Sequence, residues 1–359
     1  TMSSFMRFSI CATYCTLSDD SKVNVFFIEE PESHMHPQMQ NVFIRFLTKY
    51  YTEKKLQGLI TTHSNEIARS VGLNSLRVIR QTEKSKSELF NLSKFRKSIE
   101  NKKVKNVDKE SEFLLQNFFD WFFEIGYSEL IFADKVILYE GDTERLYIRK
   151  LLGMTEFASL RDNYIAFIQV GGAYAHNYLE ILTMLKMKSL IITDLDYNKD
   201  ATTFEIAKNS TSTNATINHC YRLIYPEKGA AYLPSIKEIY EMQTEKGTVI
   251  CNDLICVAYQ DENSTARTLE EAMLNKFLSK NVFDKTKRSE WKSIRKNNNL
   301  TFTIPNNRND ETDSEFSIRQ IVAASSNNKT DFMYSVVLSG NEEKMLPDYI
   351  RKGLLWLAK

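Results

Sequence analysis

KVILYEG, residues 135–141, is a short and almost wholly apolar run that closes on a carboxylate and a glycine. Parallel strands covered on both faces read this way. Outward from it the alternation continues as helix DTERLYIRKLL (142–152), strand NYIAFIQVGG (163–172), helix AHNYLEILTMLKM (175–187) and strand SLIITDLD (189–196). Strand and helix in this order predict α/β architecture with a doubly wound parallel sheet. Residues 198 to about 250 are rich in Thr, Asn and Ser and predict an insertion of poorly defined order. Strand DLICVAYQ (253–260) resumes the sheet, and a helix opens at TLEEAML (268–274). The C-terminal part alternates basic helical stretches with an Asn-rich loop and ends in an apolar helix.

Ligand sites in such sheets lie beyond the carboxyl ends of the strands. Here those positions are acidic: Glu140 ends one strand, Glu144 follows one helical turn later on the same side, and Asp194 with Asp196 ends another in TDLDYN. Alternate residues of an extended chain point the same way, so the two aspartates can address one region. Glu270, in TLEE, is a candidate fifth carboxylate. Like charges held together raise one another's pKa and cost stability unless a cation neutralises them. Oxygen ligands suit Mg²⁺ or Mn²⁺, and two such ions about 4 Å apart can stabilise the attacking and leaving oxygens of a phosphodiester. For any single acid the alternative is a helix cap or a surface charge; for Asp142 capping is the preferred reading.

The N-terminal region is also α/β, with a helix from Ser4, a strand Val23–Ile28, a helix about Gln38–Tyr51, and the strand LQGLITTHS ending at His63. VNVFFIEEPESHMHP (23–37) reads as a buried strand ending in two carboxylates, a station for Mg²⁺ and for water activation in an ATPase. The phosphate loop GxxxxGK[ST] that must accompany it is nowhere in the chain. A chain that begins at Thr1 and holds half of such a site reads as a fragment, with the loop upstream. His34 and His36 do not share a helical face and do not predict a metal pair. Residues 81–110, with SKFRKSIENKKVKNVDKE (93–110), predict a solvated connector or exposed helix.

Composition excludes several classes. Forty-seven basic against 46 acidic residues give a net charge of +1, so nucleic acid is not attracted by bulk charge and any contact depends on local patches. Five scattered cysteines without a CxxC pair favour free thiols in a reducing cytoplasm. No apolar run of about 18 residues is present to span a bilayer, so no membrane partner is expected. Arg288, Lys292, Arg295 and Lys296 fall at helical spacings with Trp291 and Ile294 between them, either a solvated face or a stripe for DNA phosphates.

FADKVILYEGDTE (132–144), followed some fifty residues later by IITDLDYN (191–198), resembles the Toprim nuclease domain. FFIEEPESHMHP with TTHS (61–64) resembles the ABC-type ATPase half that accompanies it in the OLD (overcoming lysogenization defect) endonuclease family, including Gabija-type and retron-associated defence nucleases. The resemblance implies the C-terminal part of an ABC-type ATPase domain over 1–85, a helical linker over 86–130, a Toprim domain over 131–275 with its insertion, and a helical C-terminal region over 276–359 that completes it. It implies metal ligation by Glu140, Glu144, Asp194, Asp196 and Glu270. It makes Lys329 the family's late lysine, which alone would read as a solvated surface residue. Gly171 and Gly172 match a family turn or are simply a tight connection, and Thr193 assists the metal site or is a buried strand residue.

In the ATPase half the resemblance implies that Glu29 holds Mg²⁺ through water, Glu30 polarises the attacking water and His63 senses the γ-phosphate. Ser3 or Ser4 would contact a nucleotide held by a partner subunit, with Phe5 standing where the family commonly has glycine. The expected function is a metal-dependent DNA endonuclease or nickase, regulated by ATP in the full-length protein and acting against phage. Its partners would be DNA, further copies of itself, and a defence-system protein or retron RNA/DNA. The alternative is an ABC-type sensor or assembly module whose Toprim domain is inert.

Overall fold

The computed structural model describes residues 25–54, 56–103, 127–171, 174–197, 201, 203–243, 247–262, 266–278, 288–304, 317–325 and 329–359. The chain forms two compact units, 1–132 and 133–359. The expected helix from Ser4, and residues 104–126 of the expected helical linker, lie outside the described residues.

In the first unit, strand β1 (Val25–Glu29) pairs in parallel with β2 (Gln57–Thr61), Glu29 standing opposite Thr61. Parallel neighbours require a crossover, and helix α1 (Pro37–Lys54) supplies it. Its Phe43, Ile44 and Leu47 pack with Met35 and with Ile67 of helix α2 (Asn65–Val71). Ser64 caps α2 by accepting from Ile67 N at 3.2 Å. The strand expected to be buried is only half covered among the described residues: Phe26 is inside, whereas Phe27 is 76% exposed.

The stretch read as a connector begins instead with an antiparallel hairpin, β3 (Arg77–Glu83) and β4 (Lys86–Asn91), turning at Ser85 with φ +66°. Val78 and Phe90 are paired and buried on one face, Ile79 and Leu89 paired and exposed on the other. Each strand holds only two adjacent apolar residues, Val78–Ile79 and Leu89–Phe90, among polar ones, too short a run to show a period of two. Helix α3 (Leu92–Lys103) then takes up the first part of the basic run.

The second unit is built on β5 (Lys135–Tyr139), β6 (Ile165–Gln169), β7 (Lys188–Ile192), β8 (Thr248–Asn252) and β9 (Ile255–Ala258). Among the described residues they form one sheet in the order β6-β5-β7-β9-β8, parallel except for β8 at its edge. Helix α4 (Asp142–Leu151) links β5 to β6, and α5 (Leu179–Met184) links β6 to β7. This is the predicted doubly wound order.

The polar stretch after β7 is folded rather than loosely ordered. It holds α6 (Phe204–Asn209), α7 (Ala215–Ile224) and α8 (Ile236–Glu241), whose N-caps are Thr203, Asn214 and Ser235. Small polar residues that look like a loop in sequence are the ones that start helices.

Beyond β9 come α9 (Leu269–Leu278), α10 (Arg288–Asn297), α11 (Ser317–Ala324), α12 (Lys329–Leu338) and α13 (Asp348–Ala358). They share one core with α4 and the sheet, through Tyr147, Leu190, Met273, Phe332, Met333 and Leu354 among others. Each such aliphatic or aromatic side chain contributes about 2 kcal/mol on burial. Helix α13 lies close on the sheet because Gly353 has no Cβ; one placed there would stand 2.8 Å from Leu190 Cδ1.

Gly247, just before β8, is the tightest point, with φ +76° and a hypothetical Cβ 2.1 Å from Tyr349 Cβ and 2.9 Å from Tyr259 O. Gly247→Ala is therefore expected to lower unfolding free energy by about 3 kcal/mol or more, read as a drop in the denaturant midpoint.

Candidate active site

The second unit's candidate site begins where β5 stops. Glu140 follows the last strand residue, and its Oε1 accepts from the Thr193 hydroxyl and, at 3.1 Å, from Asp194 N. Residues 54 positions apart are thereby joined at the ends of adjacent strands. Glu144 stands in the first turn of α4, its Oε2 accepting from Gly141 N at 3.0 Å and from Thr143 Oγ1 at 3.1 Å. The role expected of Asp142 thus falls to Glu144: Gly141 occupies the N-cap, and Asp142 is an exposed first-turn acid.

The end of β7 is bound from two sides. Thr193 N donates to Ala258 O at 3.1 Å, extending the ladder to β9. Asp194 Oδ1 accepts from Gln260 Nε2 at 2.8 Å, and Asp194 O from Asn214 Nδ2 at 2.7 Å. At Asp196 the backbone leaves the extended conformation, with φ +46°, a left-handed setting that aspartate tolerates. Its carboxylate pairs with Arg267 Nη2 at 3.1 Å. Glu270, only 4% exposed in the first turn of α9, pairs with Lys329 Nζ at 3.2 Å. Lys329 opens α12; its side chain remains partly exposed and is paired with Glu270.

Electrostatics show how closely these groups are gathered. Burial pushes the Asp194 carboxyl well above the usual range, and the charges of Glu140, Glu270, Glu144 and Asp196 push it further. Burial likewise raises Glu140, against the hydrogen bonds from Thr193 and the Asp194 amide. Glu144 is pushed up to about 7 by burial, with Glu270 and Glu140 adding to it against its own hydrogen bonds. Burial raises Asp196 despite Arg267 and Lys329. For Lys329 burial works downward, but the attraction of Glu270, with Asp194 and Glu144, prevails and its pKa is raised. Two cations, the Lys329 ammonium beside Glu270 and the Arg267 guanidinium beside Asp196, face five carboxylates and offset their charge only in part.

An all-oxygen donor set with excess negative charge fits a hard divalent cation. As the side chains stand, no group of three or more His, Cys, Asp or Glu among the described residues is placed so that it could hold a metal ion. Glu140, Glu144, Asp194, Asp196 and Glu270 are each engaged by a protein donor.

Gln260, Asn214 and a neighbouring buried network are absent from the sequence expectations. In that network Arg319 pairs with Glu271 at 3.3 Å and donates to Tyr197 OH at 2.6 Å, while Arg267 Nε donates to Tyr197 O at 2.6 Å. Gln260 stands just beyond the end of β9, but an uncharged amide there gives no signal in sequence. Asn214 was legible only as a helix cap. Gly171 adopts φ +59°, as its turn requires, and Gly172 lies outside the described residues.

In the first unit Glu29 ends β1, and Glu30 adopts φ +39° with its amide donating to Thr61 O at 3.0 Å. Its Oε1 lies 3.3 Å from His63 Nε2, both side chains well exposed. Glu32 was missed: it is buried, and its Oε1 accepts from Thr62 Oγ1 at 2.6 Å and His63 N at 2.9 Å, fixing the end of β2 against the end of β1. A cavity of about 410 Å³ is lined by Glu30, Glu32, Ser33, Gln40, His63 and Ser64. His34 and His36 are exposed in the stretch before α1, with Met35 between them buried. Ser3, Ser4 and Phe5 lie outside the described residues.

The basic stripe on α10 is only partly free. Trp291 is 3% exposed and anchors the helix, and Arg295 Nη1 donates to Phe302 O at 2.7 Å; Lys292 and Lys296 face solvent. Cys220, Cys251 and Cys256 are free thiols; Cys11 and Cys15 lie outside the described residues. No helix among the described residues is long and apolar enough to cross a membrane.

Residues 131–196 match the family described as overcoming lysogenization defect protein-like, TOPRIM domain, and residues 2–68 match an AAA ATPase domain. The chain carries an OLD-like Toprim domain preceded by an AAA-type ATPase region. It is homologous to an endonuclease GajA of Bacillus cereus, 28% identical over 370 residues that cover 95% of this chain and 49% of that protein. It is also homologous to an OLD nuclease of Thermus scotoductus, 29% identical over 140 residues covering 38% of this chain and 24% of that one. The chain thus spans at most about half the length of these relatives. Among solved structures, the C-terminal region of the Burkholderia pseudomallei OLD protein is 17% identical, covering 63% of this chain and 98% of that one with a TM-score of 0.35.

Two outcomes are expected of this geometry. Arg319→Met leaves the buried Glu271 carboxylate unpaired and should cost about 3 kcal/mol of unfolding free energy, partly recovered in the double variant with Glu271→Gln. In EDTA, Glu144 keeps its proton to about pH 7 when folded but loses it near 4.5 when unfolded, so the folded state binds more protons between those values. Stability then falls as pH rises through that window, and Glu144→Gln should make the slope of melting temperature against pH shallower.

Proposed function

We propose that the chain is the cutting part of a metal-dependent DNA endonuclease or nickase. The observation that supports this most directly is the meeting of Glu140 with the end of β7, which gathers acids from three segments beside one lysine. Glu140, Glu144, Asp194, Asp196 and Glu270 would hold Mg²⁺ or Mn²⁺, which when bound supplies a water-derived nucleophile and Lewis-acid stabilisation of the phosphate oxygens. Glu140, Asp194 and Asp196, with Lys329, form the catalytic set. Lys329 keeps its proton at neutral pH and so offers a fixed positive charge to the scissile phosphate and its leaving oxygen. Lys292 and Lys296 suit contact with the DNA backbone, which is indifferent to sequence.

In the neighbouring ATPase region, Glu29 would hold Mg²⁺, Glu30 would orient the attacking water and His63 would face the γ-phosphate of ATP. Glu32 supports His63 from behind. ATP turnover there regulates cutting, and the ATPase region joins copies of the protein into a dimer or larger homo-oligomer. The protein would act in the cytoplasm in bacterial defence against phage, with a defence-system protein or retron RNA/DNA as a further partner. A sensor whose Toprim domain is inert is the second reading, favoured by the internal donor that already engages each acid.

Supercoiled plasmid with Mg²⁺ or Mn²⁺ separates the two. Nicking or linearisation is expected, reduced at least about 100-fold by Asp194→Ala and Glu140→Ala and by about 100-fold in Lys329→Ala. DNA binding without cleavage in either metal would establish the inert reading.

A further inference from the structure

Two buried carboxamides, Gln260 and Asn214, converge on the end of β7, both with no exposed surface. Amide groups can be turned either way in principle, but here backbone partners fix them. Gln260 Oε1 accepts from Leu195 N at 2.7 Å, so its Nε2 must face Asp194 Oδ1, 2.8 Å away, and Tyr349 OH, 3.2 Å away. Asn214 Oδ1 accepts from Ile217 N at 3.1 Å as the cap of α7, so its Nδ2 must face Asp194 O at 2.7 Å and Thr193 Oγ1 at 2.6 Å.

The directions then propagate. An amide nitrogen only donates, so the Thr193 oxygen uses a lone pair toward Asn214, and its single proton is left for Glu140 Oε1. Glu140 Oε1 is thus committed as an acceptor from Thr193 and the Asp194 amide, and Asp194 Oδ1 as an acceptor from Gln260. In each carboxylate one oxygen is held by these donors, and the other is not engaged by them.

We propose that Gln260 and Asn214 are positioning residues that present Asp194 and Glu140 as one-oxygen ligands to a divalent cation. The inference rests on the cation site proposed above. Outer partners of this kind orient ligands and typically change metal affinity 10- to 100-fold when lost, about the effect expected here.

Calorimetric titration of the protein with Mn²⁺, well below its melting temperature, tests it. Asp194→Asn should abolish binding at the site. Gln260→Met, close in size but without the amide, should weaken the Mn²⁺ Kd by about 10- to 100-fold. Asn214→Asp keeps the α7 cap but loses both donations, and it should weaken binding even though an added negative charge alone would tighten it. The bound-Mn²⁺ electron paramagnetic resonance spectrum should change in both variants. A wild-type titration with no Asp194-dependent binding would sink the cation site itself. Wild-type binding abolished by Asp194→Asn, yet kept within about twofold and with an unaltered spectrum in Gln260→Met and Asn214→Asp, would overturn this inference alone.

Discussion

The acceptance of two hydrogen bonds by one oxygen of Glu140, from the Thr193 hydroxyl and the Asp194 amide, is the contact on which the candidate site depends. It closes the ends of β5 and β7, and it does so only because both strands run parallel in register and finish at the same rim. Once those ends meet, Glu144 follows in the first turn of α4, and α9 and α12 bring Glu270 and Lys329 to the same cluster. The large core beneath, which packs α4, α9, α12 and α13 with the sheet, holds the rim against the repulsion of its own charges.

That repulsion is a cost without an obvious structural benefit. Carboxyl groups at Asp194, Glu140, Glu144 and Asp196 are all raised above their ordinary range, with burial the largest cause at each. Protein interiors avoid such assemblies unless paired charge or a cation compensates. In the neighbouring network a single buried acid, Glu271, meets Arg319 and the Arg267 amide, whereas at the rim five acids share Lys329 and Arg267. Compensation is complete enough in that network for a structural role, and incomplete at the acidic rim.

Much of this was legible in sequence where physics leaves a strong local pattern. Apolar runs ending in acids gave β5 and β7 and pointed to Glu140 and Asp194, since a covered parallel strand has few alternatives and its carboxyl end is where ligands bind. The insertion after β7 was misjudged because Thr203, Asn214 and Ser235 look alike in a loop and at a helix start; only tertiary packing distinguishes them. The hairpin at 77–91 was hidden because each strand has only two adjacent apolar residues among polar ones. Gln260 and Glu32 carry no pattern of their own: an amide after a strand and an acid after a proline become informative only when their partners, 66 and 31 residues distant, are in place.

Anomalous diffraction from crystals grown with Mn²⁺, recorded above and below the manganese absorption edge, tests the central claim most directly. The account predicts a peak within coordination distance of both Glu140 and Asp194, with the oxygens not held by Thr193 and Gln260 turned toward it. Fully occupied manganese found only at surface carboxylates, with Glu140 still closed on Thr193 and nothing between it and Asp194, would contradict it.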